Sequence, residues 1–188
     1  MQSQLHSRQS IQRVQQELLI ANKHLEINEK FIIETDDNLM KWRVRMPSAS
    51  FVEMAPSIFT DLEEHAQRYT HRNAEVVLQI SFSPAYPQSP PIVRVISPRF
   101  EFHTGHVTIG GSVCAPFLTL KDGMDGWDST WTMALVILMV HMTLMTAEPI
   151  AKVVNRSTCH HPDPSQDYSE EEAKLAFARV ARDHGWRV

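Results

Sequence analysis

The sequence predicts an α+β domain, an antiparallel meander with helices at both ends and one apolar helix in its core. Three observations predict it. Apolar residues recur at three- and four-residue steps near the amino terminus. They then alternate with polar residues in several short runs, and finally fill one long segment between Trp131 and Ala147 almost without interruption.

Ile11, Val14, Leu18, Ala21 and Leu25 define the first helix, over about 8–24, with Gln12, Arg13, Gln16, Glu17 and Lys23 on its polar face. The period changes after it. Phe31 to Ile33 is a short apolar run, and beyond the Asp36-Asp37-Asn38 turn cluster Trp42, Val44 and Met46 alternate with Lys41, Arg43 and Arg45. Val76, Leu78, Ile80 and Phe82 repeat the pattern, and Ile92 to Ile96 is a further β-branched run. The stretch from Pro47 to Asn73 is too long for a tight hairpin. Pro56-Ser57 followed by Ile58, Leu62, His65 and Tyr69 on one face predicts a short helix inserted within it.

Four prolines stand between Ser83 and Pro91, which makes that segment a stiff connector outside any sheet. From Ser97 to Asp128 no period is visible, yet five of the six glycines fall there. A long functional loop is the natural reading. The apolar segment 131–147 contains His141 and lies between Asp128 and Glu148 rather than between cations, so a helix buried on nearly all sides is expected instead of a membrane span. The last helix opens at Ser169 with Glu170, Glu171 and Glu172 and closes at Gly185, with Leu175, Phe177, Val180 and Ala181 as its apolar side.

The 188 residues suit one domain, here 10–188, with 1–9 a candidate disordered tail. A net charge of −4 without a basic run argues against nucleic acid and against a charged membrane surface. Two cysteines make no disulfide framework, which favours a reducing cytoplasmic or nuclear setting. No cofactor is expected: neither a phosphate-binding nor a dinucleotide loop is present, and Cys159-His160-His161 lacks a second pair of metal ligands.

Cys114 is the chemical focus. It lies in the glycine-rich loop, in TGHVTIGGSVCAPFL, where Gly110 and Gly111 would let a ligand chain approach the backbone. His103, Thr104 and His106 are polar neighbours in sequence. A buried structural cysteine is the bland alternative.

The run LQISFSPAYPQSPPIVRVISP, then GGSVC, then WDSTWTM, resembles in that order the ubiquitin-conjugating enzymes. PPIVRVISP, GHVTIGGSVC and the terminal HGW are similar to the Q-type branch of that family. The resemblance covers roughly residues 10–187 and implies a ubiquitin-conjugating-enzyme fold, with Cys114 carrying ubiquitin or a ubiquitin-like protein as a thioester. It implies that Trp127 packs behind the cysteine loop, with Gly110 and Gly111 supporting that loop. It also implies that the first helix, through Arg13 and Gln16, meets a ubiquitin-activating enzyme, and that Pro84, Gln88 and Ser129 lie on the surface that meets ubiquitin ligases.

The resemblance has departures. The family's His-Pro-Asn triplet is replaced by His103-Thr104-Gly105, and the position of its Asn, eight residues before the cysteine, is held by His106. An oxyanion or proton-transfer role falls to His106 on that reading. The acidic or serine residue that family members often carry near the end of the core helix falls near Ile150 or Ala151, and Gln88 stands where many members have an apolar residue. Two other readings are a non-catalytic interaction module of the same architecture and a cysteine hydrolase acting on such modifiers.

Overall fold

The computed structural model describes residues 7–70, 73–120, 126–157 and 163–185. The expectations for most of residues 1–9 and for Cys159-His160-His161 therefore lie outside the described residues, as does Trp186. Helix α1 runs over Arg8–Lys23 and a short α2 over Leu25–Lys30. The four strands are β1 (Ile32–Glu34), β2 (Lys41–Pro47), β3 (Glu75–Ser81) and β4 (Ile92–Ser97). Helix α3 (Pro56–His65) is inserted between β2 and β3, α4 is Met133–Thr146, and α5 is Glu170–His184.

The strands form an antiparallel meander in the order β1-β2-β3-β4. Strict alternation fixes the register, because a one-residue slip would turn every apolar side chain outward. Trp42, Val44 and Met46 of β2 face Ile80, Leu78 and Val76 of β3 directly, and all six are buried. Pro56 enters α3 at its first turn, where a missing N–H does no harm, and Ile58, Leu62 and His65 form its buried side. The segment runs on as a π turn over Ala66–Thr70, where Tyr69 donates to the carbonyl of Asn155 at 2.5 Å.

Helix α4 supplies the core with Met133, Ala134, Val136, Ile137, Val140 and Leu144, and α1 packs beside it. It is not buried on nearly all sides as expected, since Leu135 and Met142 are each 41% exposed. A helix laid on a sheet keeps a solvent face, even when that face is apolar in sequence. Among the described residues, no helix is long and apolar enough to cross a membrane.

Two helix faces differ from those predicted. In α1 the buried positions are Ser10, Val14, Glu17 and Ala21, while Ile11 is exposed. Glu17, assigned to the polar face, is 1% exposed because its carboxylate accepts from Arg13 Nε at 2.6 Å and from the backbone N–H of Met133 at 2.7 Å. In α5 the inward side is Ala173, Ala176 and Ala181, and Leu175 stands in solvent. The predicted Ser169 capping box and left-handed Gly185 are both present.

His141, in the middle of α4, packs its ring on Phe31 and Phe51, with centroids 4.9 and 4.6 Å away. Burial lowers its pKa to about 4 from 6.5, with Lys30 adding to the fall and a hydrogen bond to the Ser50 backbone opposing it. The folded state therefore favours the neutral ring. Its contribution to stability is complete above pH 6.5 and is lost as pH falls from there through about 4.

Two outcomes are expected. Glu17→Ala should lower the unfolding free energy by about 2–3 kcal/mol in urea titration, because it strands a buried N–H and a half-buried guanidinium. His141→Leu should gain stability relative to the parent chain as pH is taken from 7 to 4.5. Parallel urea midpoints across that range would refute the assigned titration.

Candidate active site

The loop between β4 and α4 contains structure that its sequence conceals. Residues 107–113 fold back as a small β-hairpin, with Val107 bridged to Val113, Thr108 N–H on the carbonyl of Ser112 at 2.9 Å and Gly111 N–H on that of Thr108 at 2.8 Å. Its second arm lies along β4: Val113 N–H donates to Val93 at 3.0 Å, and Val95 N–H to Gly111 at 2.7 Å. The sheet edge is thereby covered.

Cys114 and His106 face each other at the open end of this hairpin, where Cys114 N–H donates to the His106 carbonyl at 2.7 Å. His106 has φ of 55° and an exposed side chain. His103 is also left-handed, at 61°, and its ring lies tilted against that of exposed Phe102 with a centroid distance of 3.7 Å. Thr104 is buried, donating to the carbonyl of Glu101 at 2.8 Å and accepting from Lys152 N–H at 3.2 Å. Gly105 lies against Ala151, where a Cβ would overlap the backbone, and donates to the Pro149 carbonyl at 2.9 Å. Segments 101–106 and 149–152 thus form one wall beside Cys114.

Cys114 is half-buried, and this loss of water pushes its thiol up to about 11 from 9. Burial is the cause of that rise, so the uncharged thiol is the favoured form. No cluster of potential metal ligands is present among the described residues.

Gly110 and Gly111 serve a purpose other than the ligand approach their sequence suggested. A Cβ on Gly110 would overlap the backbone of Glu172 and the side chain of Ala176 in α5, and one on Gly111, at φ 91°, would stand 2.6 Å from the Tyr168 ring. The chain they admit is the protein's own terminal helix.

Trp127 ties the far end of this loop to the proline connector, its backbone N–H donating to the Thr119 carbonyl at 2.9 Å. Its indole N–H donates to the Pro87 carbonyl at 2.7 Å, and its ring lies 6.1 Å from that of Tyr86 and 6.0 Å from that of Trp131. The proline connector and the segment entering α4 are thereby one surface. Pro84 is half-buried there and Gln88 is exposed. On α1, Gln16 is exposed, whereas Arg13 is engaged within the chain: besides Glu17, its Nη2 donates to the carbonyls of Ser129 and Trp131, each at 3.1 Å. Ile150 is half-buried and Ala151 buried, so neither places a carboxylate beside the thiol.

Sequence reasoning missed Ser112, whose Oγ–H donates to the Ala173 carbonyl at 2.7 Å, and Tyr168, whose hydroxyl accepts from Phe100 N–H at 2.9 Å. Both act on partners more than sixty residues distant in the chain, and no local pattern announces such pairs.

No family model matches the chain. Human ubiquitin-conjugating enzyme E2Q-like protein 1 is 26% identical over 166 residues, spanning 85% of this chain and 89% of that protein. Human ubiquitin-conjugating enzyme E2 Q1 is 30% identical over 153 residues, which are 80% of this chain and 32% of its relative. Among solved structures, a ubiquitin-conjugating enzyme E2 from Plasmodium falciparum superposes with a TM-score of 0.49 at 26% identity, covering 72% of this chain and 98% of that one. Over at least four fifths of its length the chain is thus similar to ubiquitin-conjugating enzymes, E2Q-like and E2 Q1 proteins among them.

Proposed function

We propose that the chain accepts ubiquitin or a ubiquitin-like protein from an activating enzyme as a thioester on Cys114 and passes it to a substrate or a ligase. The observation that carries this reading is the position of Cys114: half-buried at the mouth of a hairpin, opposite an exposed histidine, in a chain whose relatives bear the names of conjugating enzymes.

The chemistry is an exchange of one thioester for another. The Cys114 sulfur attacks the carbonyl carbon of the modifier's terminal residue, a new C–S bond forms, and the activating enzyme's sulfur leaves with the electron pair and takes up a proton. Attack requires the thiolate. A thiol raised to about 11 has very little of it at neutral pH, so the incoming complex must supply the polarity that draws the proton off. The same desolvation makes the thiolate a poor leaving group, which slows loss of the loaded form to water and leaves discharge dependent on help at the acceptor step.

Discharge to a lysine forms an amide C–N bond and breaks the C–S bond through a tetrahedral oxyanion. His106 is proposed to act there, donating a hydrogen bond to the oxyanion or receiving the proton that the amine loses; an imidazole is able to do either. The exposed Gln16 and the half-buried Arg13 on α1 are the proposed contacts for the activating enzyme, and Pro84, Gln88 and Ser129 those for ligases. Arg13 joins these two surfaces through its bond to the Ser129 carbonyl.

Two experiments test this. With activating enzyme, ATP and ubiquitin, a non-reducing gel should show an adduct that is removed by thiol and becomes thiol-resistant in Cys114→Ser. No adduct with ubiquitin or any ubiquitin-like modifier would favour a non-catalytic interaction module instead. His106→Ala should slow discharge of preformed thioester onto free lysine by about ten- to a hundredfold while leaving loading within about twofold. Equal losses in the two steps would remove His106 from the mechanism.

A further inference from the structure

An isolated two-stranded hairpin has little stability of its own. The 107–113 hairpin holds Cys114 and His106 opposite each other, so what fixes its shape also fixes their separation. Its arms contribute one bridge and two internal hydrogen bonds. Pairing with β4 fixes its second arm, and the remaining constraint comes from its tip.

The tip lies beneath α5. Gly110 meets the α5 backbone at Glu172 with no room for a methyl group, and Gly111 meets the Tyr168 ring. Ser112 is 1% exposed and donates to the Ala173 carbonyl inside the contact. Tyr168 is itself fixed at both ends. Its backbone N–H donates to Ile96 at 2.8 Å, its carbonyl accepts from buried Arg94 at 3.0 Å, and its hydroxyl accepts from Phe100 N–H. Helix α5 is then held at its first turn by Lys41–Glu170 at 3.2 Å and Arg99–Glu172 at 3.0 Å.

The geometry points to Ser112 and Tyr168 as positioning residues that clamp the hairpin tip under α5 and so hold the Cys114–His106 mouth in register. Neither touches the reacting atoms. Their contacts lie at the closed end, and the effect reaches the open end through the paired backbone of Val107 and Val113. A small rotation at the tip changes which way His106 presents its ring, whereas loading, which needs access to sulfur alone, tolerates it. Helix α5 thereby becomes a part of the transfer machinery as well as of the fold. This rests on the proposed thioester function.

The test compares the parent chain with Ser112→Ala and Tyr168→Phe. In single-turnover assays each variant should load Cys114 within about twofold of the parent, but discharge the thioester to free lysine about fivefold more slowly. In a His106→Ala background the same substitutions should slow discharge little further, because they act through that residue. Independent, multiplicative losses would overturn the proposal, as would loading and discharge falling together in proportion to lost folded protein. A second measurement needs no modifier. Alkylation of Cys114 by iodoacetamide at pH 8 should be about threefold faster in each folded variant, as the loosened mouth admits water. Unchanged alkylation would count against the clamp. If the parent chain forms no thioester, the functional reading fails while the alkylation comparison still judges the clamp. If Ser112→Ala does not fold, Tyr168→Phe carries both measurements.

Discussion

A single buried carboxylate organises one side of this molecule. Glu17 lies where α1 crosses the start of α4, and an unpaired ion there would be strongly disfavoured. It is neutralised twice. Arg13 closes on it from one turn earlier in α1, and Met133, the first residue of α4, directs its backbone N–H at it. The amino end of a helix carries partial positive charge, so the anion also caps α4 electrostatically. Because Arg13 reaches on to the carbonyls of Ser129 and Trp131, the segment leading into α4 is fixed by the same cluster. Trp127 begins that segment and reaches Pro87, which brings the proline connector under the same constraint. Three regions far apart in sequence are held by one charge.

The opposite side is organised by the absence of side chains. Helix α5 approaches the cysteine-bearing hairpin so closely that only Gly110 fits beneath its backbone, and the helix answers with Ala173 and Ala176. Larger residues would gain dispersion contacts but hold the helix away. That explains why Leu175 is left 66% exposed: the close face has no space for it. Arg99 fills the remaining edge, stacking on Tyr168 with its guanidinium carbon 4.5 Å from the ring centroid while pairing with Glu172.

The sheet was legible because its rule is local. Alternation in 42–46 and 76–82 survives any tertiary context that buries one face, and the structure pairs those residues directly. The ends of α5 were legible for the same reason, since Ser169, Glu172 and Gly185 act within one turn of themselves. Burial of Glu17 and the alanine face of α5 were not legible. Each is decided by a partner over a hundred or about sixty residues away, so helical periodicity placed Val14, Ala21 and Ala181 inward correctly but missed Glu17, Ala173 and Ala176. The hairpin at 107–113 escaped notice because glycines and short arms give no alternation to count. At the site, the cysteine could be singled out from its loop composition and from family resemblance, but its desolvation could not. That depends on what packs behind it.

The left-handed backbone at His106 bears on what its ring is for. Such a conformation is strained for most residues, and Asn and His are among those enriched in it. The resemblance places a family Asn at this position, and His is a substitute that keeps the same backbone accessible. With φ at 55° the His106 carbonyl turns inward to receive the Cys114 N–H, while the imidazole lies in solvent. Holding the loop is therefore the work of a main-chain carbonyl, which any residue tolerating this conformation would supply. The ring is not needed for that bond. Glycine adopts this conformation most freely, as at Gly105 one position earlier with φ of 60°, where the close approach of Ala151 also excludes a side chain. His106 thus leaves its exposed imidazole at the open end of the hairpin, available for the discharge role proposed above, while its main chain holds the loop.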